Sequence, residues 1–214
     1  MFTKASPSQQ CLICFKPLLQ VSHLRDLFKE QDVLCRDCRS KIVVDPIIIK
    51  MSDFDVYSIY PYEDSFQKIL IQYKDLFDEA LAPLFLNRYI KQLKPLIKSR
   101  QMVCIPSYPQ HVKERGFHHV ESMYKEVSRD SLQLLSKVSS RHQAKMSLNK
   151  RTELLFKIKS NSPTSILLVD DMCTTGESLR QAYMLLTDHG HDVKCVSVGY
   201  HPLLKRQFPY KKWF

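Results

Sequence analysis

The segment Ser165 to Leu179, Ser-Ile-Leu-Leu-Val-Asp-Asp-Met-Cys-Thr-Thr-Gly-Glu-Ser-Leu, leaves this chain few folds to choose from. Ile166 to Val169 is an unbroken apolar run, the pattern of a strand buried on both faces. Beyond a short polar loop, Leu179, Ala182, Tyr183 and Leu186 recur at helical spacing. Gly190 closes the helix, and Val193 to Tyr200 supplies a further β-rich run, completing a right-handed βαβ unit. The expected class is α/β, a doubly wound parallel sheet. In such sheets ligands bind at the carboxyl ends of the strands, where Asp170 and Asp171 are expected to fall.

The loop has its own chemistry. Thr174, Thr175 and Gly176 bring two hydroxyls and consecutive backbone N–H groups to a helix N-terminus, which suits a phosphate. The acidic pair suits neutral hydroxyls or the waters of Mg²⁺. A ribose 5-phosphate offers both kinds of group. Two other readings fit the same residues, an ordinary buried strand with a solvated acidic turn and an acidic metal site of another doubly wound family. The arrangement resembles the phosphoribosyl pyrophosphate (PRPP) loop of the type I phosphoribosyltransferases. That resemblance implies Asp170 and Asp171 on ribose hydroxyls, Thr174, Thr175, Gly176, Glu177 and Ser178 around the 5-phosphate, and Mg²⁺ arriving with PRPP.

The second hard signal is near the start. Cys11 and Cys14, then Cys35 and Cys38, form two Cys-x-x-Cys knuckles at the spacing of a four-thiolate zinc ribbon. Zinc held by four thiolates has no open position, so its expected role is structural, folding a segment too small for a core of its own. A redox dithiol pair and buried free thiols are the alternatives, and Cys104 and Cys195 are expected in strands, not on metal. This divides the chain into a zinc ribbon over residues 1–45 and a larger domain over 46–214, with 42–56 read as a linker.

Composition adds constraints on partners. A hydrophobic share of 44% supports a folded core, and nothing reads as a signal peptide or membrane span, so a cytoplasmic protein is expected. The net charge of +10 is segregated. Residues 88–115 and 137–159 each carry seven Lys or Arg against one Glu, whereas 51–87 sums to −5. Segregated positive charge favours an anionic partner.

Between these landmarks, Tyr57 to Tyr62 alternates as an edge strand would, and Phe66, Ile69, Leu70 and Tyr73 mark a helix. A single helix is expected from Glu79 to Lys98, with Pro83 in its first turn and Pro95 near its end. Met102 to Ile105 is a short strand before a basic loop with Lys113 and Arg115, then a helix with Phe117, Val120, Tyr124 and Val127 inward. Lys74, Lys113, Arg115, Arg141 and Arg151 are candidates for pyrophosphate or DNA phosphate. The tail, Lys205 to Phe214, interleaves cations with aromatics. Tyr210 and Trp213 there suit stacking on unpaired bases, an anionic membrane surface, or cover for the core.

Taken together, the chain resembles the ComF (ComFC) family of competence-associated proteins. The resemblance rests on the two cysteine knuckles, Tyr60-x-Tyr62 leading to Ile71-x-x-Lys74, Ile105-Pro106 through Glu114-Arg115-Gly116-Phe117, and Val169-Asp170-Asp171 through Thr174-Thr175-Gly176. A weaker piece is Arg141-x-Gln143 with Ser147-Leu148 and Arg151. Two departures stand out: Asp64 at a position where the family commonly has glycine, and His118-His119 where it has a polar amide pair. The resemblance implies a DNA-uptake factor that binds single-stranded DNA in natural transformation. It further implies an ATP-dependent, ComFA-like translocase partner and peripheral contact with the inner face of the cell membrane. The alternative is a PRPP-dependent phosphoribosyltransferase, for which no residue forms an evident acceptor pocket.

Overall fold

The computed structural model describes residues 10–18, 32–128, 130–137, 156–158 and 165–214. In chain order the strands are β1 (Ile47–Lys50), β2 (Asp55–Pro61), β3 (Gln101–Cys104), β4 (Leu135–Lys137), β5 (Phe156–Ile158), β6 (Ser165–Cys173), β7 (Asp192–Tyr200) and β8 (Tyr210–Lys212). Six of them form one sheet in the order β3-β6-β7-β2-β1-β8, and β4 pairs with β5 apart from it. The four strands β3, β6, β7 and β2 run parallel, while β1 is antiparallel to both of its neighbours. The α/β class holds, with an antiparallel margin that makes the sheet mixed.

Strand β6 shows why the sheet is double-faced. Leu167 and Val169 enter one apolar cluster with Ile59, Tyr60, Phe66, Phe85 and Leu93, and Ile166 and Leu168 enter another with Val103, Leu179, Leu186 and Cys195. Side chains alternate across a strand, so a run apolar at every position must be covered on both sides. Helices α2 (Asp64–Lys74), α3 (Ala82–Leu86) and α4 (Ile90–Ile97) serve the first face and α7 (Glu177–Asp188) the second. Cys11, Leu34, Cys38 and Ile42 join the first cluster, so the cysteine module shares apolar contacts with the sheet domain.

Three expectations are corrected. Tyr57 to Pro61 is interior rather than an edge, because the stretch taken as a linker holds β1, whose Ile47, Ile48 and Ile49 are all buried. The helix expected from Glu79 to Lys98 is broken into a 3₁₀ turn (Glu79–Leu81), α3, a second 3₁₀ turn (Asn87–Tyr89) and α4. Those breaks rotate successive turns so that Leu81, Leu84, Phe85, Leu86, Tyr89 and Leu93 are all buried, which one straight amphipathic helix could not do. Pro95 lies inside α4 rather than past its end.

The tail is part of the sheet. After α8 (Leu204–Gln207), β8 pairs with β1, Trp213 meets the Tyr57 ring edge-on at 5.1 Å, and Phe214 lies 5.8 Å from the Tyr89 ring. Asp45 anchors this closure by accepting from Lys205, Lys212 and, at 2.8 Å, the Tyr200 hydroxyl. Burial acts to raise the Asp45 pKa, but those three donors outweigh it and hold the group at about 2. A depressed carboxylate contributes stability that is complete above its unfolded value, near about 4, and lost as pH falls through the folded value. Asp45→Asn is therefore expected to lower the urea midpoint at neutral pH, with the difference from wild type closing between about pH 4 and pH 2.

Candidate functional site

The acidic pair sits inside the sheet. Strand β6 continues past Val169, with Asp170 opposite Ser197, Met172 opposite Gly199 and Cys173 opposite Tyr200 of β7, so the carboxylates precede the strand end. Gly199 makes this extension possible, since a Cβ there would lie 2.4 Å from the Met172 sulfur and 2.6 Å from the Phe66 ring. Asp170 and Asp171 are 8% and 5% exposed. Two such carboxylates need partners, because an unpaired buried charge is costly.

Asp171 has them. Its Oδ2 accepts from Lys74 Nζ at 2.6 Å and from His119 Nε2 at 3.1 Å. Lys74 ends α2 and His119 opens α6 (His119–Tyr124), so one carboxylate oxygen joins both helices to β6. Arg115, at the end of α5 (Pro109–Arg115), donates Nε–H to the Lys74 carbonyl at 2.8 Å and lies 2.9 Å through Nη1 from His119 Nδ1. A guanidinium is donor only, so Nδ1 carries no proton and His119 is the neutral Nε2–H tautomer. Ser107 Oγ also approaches Nδ1, at 3.3 Å, and Tyr73 donates to the His119 carbonyl at 2.6 Å.

Protonation follows from these contacts. Burial lowers the His119 pKa, and Lys74 and Arg115 add to that against the pull of Asp171. Burial acts to raise Asp171, but His119 and Lys74 overcome it and hold the carboxyl well below the usual range. Asp170 goes the other way, pushed well up by burial and by the charge on Asp171. Its Oδ1 accepts the Asp171 N–H at 2.9 Å. Burial and the adjacent charge therefore favour the neutral acid at Asp170, while Lys74 and His119 favour the carboxylate at Asp171.

The polar loop follows. Gly176 is left-handed with φ +80, and a Cβ there would lie 2.3 Å from Met51 Cε, so the turn into α7 admits glycine alone without rearrangement. Thr175 Oγ1 accepts the Glu177 N–H at 3.3 Å, and Glu177 is taken by Arg180 at 2.9 Å. Thr174 lines a cavity of about 260 Å³ with Tyr62, Lys74, Met172 and His201. A larger cavity of about 400 Å³ lies beyond the end of β3, where Lys113, His118, His119 and Lys137 meet the apolar Ile105, Val112, Val120 and Leu135. Lys137 also stands 4.4 Å over the Tyr108 ring.

The four knuckle cysteines converge. Their sulfurs all lie within 4.8 Å of one another, and Cys14 and Cys35 are 3.6 Å apart. Thiolates around a tetrahedral ion at about 2.3 Å stand about 3.8 Å from each other, so the set fits one metal ion. Burial acts to raise Cys11, yet the N–H groups of Cys14, Cys35 and Ile13 hold it at about 6, whereas burial and the neighbouring sulfurs push Cys38 up to about 12. Backbone N–H groups aimed at sulfur favour the thiolate that a metal takes.

The expected phosphate contacts separate in space. Lys74 and Arg115 turn inward to the Asp171 network, Lys113 lines the larger cavity, and Arg141 and Arg151 lie outside the described residues. Tyr210 is exposed on β8, and Trp213 packs on Tyr57. The β3 and β8 edges are opposite margins of the sheet, about 24 Å apart at about 4.8 Å per strand, so the tail and Lys113 do not adjoin. His119, Ser107 and Lys137 escaped the sequence reading as site residues. The His118-His119 departure was the available signal for the first.

No family model matches the chain. It is similar to competence protein ComFC of Streptococcus pneumoniae, 29% identical over 218 aligned residues that span 88% of this chain and 99% of the relative. It is also similar to competence protein ComFC of Bacillus subtilis, 26% identical over 181 residues, 80% of this chain and 72% of the relative.

Because Asp170 makes no ion pair among the described residues and burial favours its neutral form, Asp170→Asn is expected to change stability by less than about 1 kcal/mol, whereas Asp171→Asn strips Lys74 of its counter-charge and costs about 2 kcal/mol or more. Urea unfolding of the two variants separates them. At the cysteine cluster, metal analysis is expected to find one bound ion per chain, and Cys35→Ser to lose it together with the fold of the N-terminal module.

Proposed function

We propose, from the similarity to the two ComFC competence proteins, that the chain acts in DNA uptake by binding single-stranded DNA, with a phosphate-binding loop of the PRPP type at Thr174 to Ser178. The observation that supports this best is the larger cavity, about 400 Å³ in volume and mostly apolar, with Lys113 and Lys137 on its lining against the one acid Glu121. A base fits the apolar wall formed by Ile105, Val112 and Leu135, while its phosphates meet the two ammonium groups. The resemblance extends the proposal to a partner and a place: an ATP-dependent, ComFA-like translocase, on the cytoplasmic side of the membrane. Among the described residues no helix is long and apolar enough to cross one.

The metal of the cysteine cluster is zinc in this reading. Cys11, Cys14, Cys35 and Cys38 offer four soft sulfur ligands and no open position, the donor set of a structural zinc site. The ion would hold the short helix α1 (Arg36–Ser40) and the first knuckle together and take no part in chemistry.

Phosphoribosyl transfer is the second reading, and one observation favours it. Thr174 and Lys74 share the smaller cavity, and both contacts to Asp171 fall on Oδ2. A ribose hydroxyl donating to the other oxygen, with a 5-phosphate on Thr174 and Thr175, would use this arrangement, with Mg²⁺ neutralising the pyrophosphate. A ligand bound only by the folded state raises the melting temperature with concentration. PRPP with Mg²⁺ is expected to do so for wild type and not for Asp171→Ala.

For the first reading, single strands are expected to bind with little sequence preference and steep salt dependence. Each neutralised phosphate contributes about −0.7 to the slope of log affinity against log salt. Lys113→Ala with Lys137→Ala should therefore flatten the slope by about 1.4. An unchanged slope in that double variant would remove the cavity from the DNA path.

A further inference from the structure

Residues 51–87 sum to −5 in a chain of net charge +10, and neither the phosphate loop nor the basic cavity makes use of that excess. Its exposed centre is the end of α2. There the Leu76 N–H donates to the Ile71 carbonyl at 3.1 Å, which folds Leu76 back over the last helical turn. Phe77 follows at φ 62, in the left-handed region where a helix end ordinarily carries glycine. A phenylalanine is strained there, and burial does not explain it: Ile71, Leu76 and Phe77 are 38%, 71% and 48% exposed. Three large apolar side chains at one helix end, one of them held in a strained backbone, make an apolar face of the kind that partners cover.

The charge around this face selects the partner. Asp75, Asp78 and Glu79 flank Phe77, and among the described residues the last two accept from the neutral donors Gln72 and Ser122, at 2.9 and 2.7 Å. The two lysines of residues 51–87 are Lys68 and Lys74, and Lys74 is committed to Asp171. A polyanion, whether nucleic acid or anionic lipid, is repelled by such a rim. We propose that Ile71, Leu76 and Phe77 form a docking face for a cationic amphipathic segment of a partner protein. Its apolar side covers the three side chains and its lysines or arginines meet Asp75, Asp78 and Glu79. Leu70, Ile71, Lys74 and Asp75 also line the smaller cavity with Thr174, so the partner would stand beside the Lys74–Asp171 pair.

The proposal is tested on the full chain with a labelled Leu/Lys amphipathic peptide of about 14 residues, followed by fluorescence anisotropy, with a Leu/Glu peptide and an oligothymidylate as controls. Phe77→Gly is the informative variant, because it removes the ring and relieves the positive φ, so lost binding cannot be put down to unfolding. Expected is binding of the Leu/Lys peptide that weakens about tenfold or more in Phe77→Gly and again in Asp75→Lys with Asp78→Lys, with Phe77→Gly melting no lower than wild type. Equal binding of that peptide to wild type and Phe77→Gly would overturn the proposal. So would competition by the oligothymidylate or the Leu/Glu peptide at this face, or a dimer that Phe77→Gly converts to monomer, since the occupant would then be a second copy of the chain.

Discussion

A carboxylate inside a parallel sheet has to be neutralised by something, and for Asp171 that requirement draws three elements together. Lys74 from the end of α2 and His119 from the start of α6 meet at one oxygen of a residue in β6. Arg115 ties the first two to each other by donating to the Lys74 carbonyl and approaching His119 Nδ1. Removing any member leaves a buried polar group without its partner, so the network is more cooperative than its individual bonds. It also separates the two cavities. Lys74 lines the smaller and His119 the larger.

Much of this arrangement was legible in the sequence. The apolar run from Ile166 to Val169 and the periodicity behind it located β6 and α7, and the cysteine spacing located the cluster that the fold brings within 4.8 Å. The strand end was misplaced because Asp171, Met172 and Cys173 carry no apolar pattern, and only pairing with β7 keeps them extended. Strand β1 falls in a stretch whose sequence predicts a linker, because four residues bounded by Asp45-Pro46 and Met51-Ser52 offer too short a run to alternate. The tail looked like a nucleic-acid or membrane element from its composition. In the fold, two of its lysines are used by Asp45 and its Trp213 covers Tyr57, contacts between residues far apart in sequence that no local pattern announces.

The two departures from the family pattern have different outcomes. Asp64 keeps the left-handed turn that glycine would make, at φ 40, and opens α2 from it. His119 does more, since an imidazole reaches Asp171 through one nitrogen and accepts from Arg115 through the other, and so relays between a cation and an anion. The upward shift of Asp170 toward its neutral form is the companion of this arrangement. Next to an ionised Asp171 in a buried site, a second charge has nothing to balance it.

The whole network depends on the state of His119, and ¹⁵N NMR of its ring nitrogens over about pH 5 to 8, the range in which an ordinary histidine titrates, reads that state directly. A ring that is neutral and protonated at Nε2 at pH 7, with its titration displaced below that of an ordinary histidine, is the predicted result. An imidazolium at neutral pH, or a ring protonated at Nδ1, would contradict the network, because Arg115 could not then donate to His119 and the tie between Lys74, His119 and Asp171 would have to be redrawn.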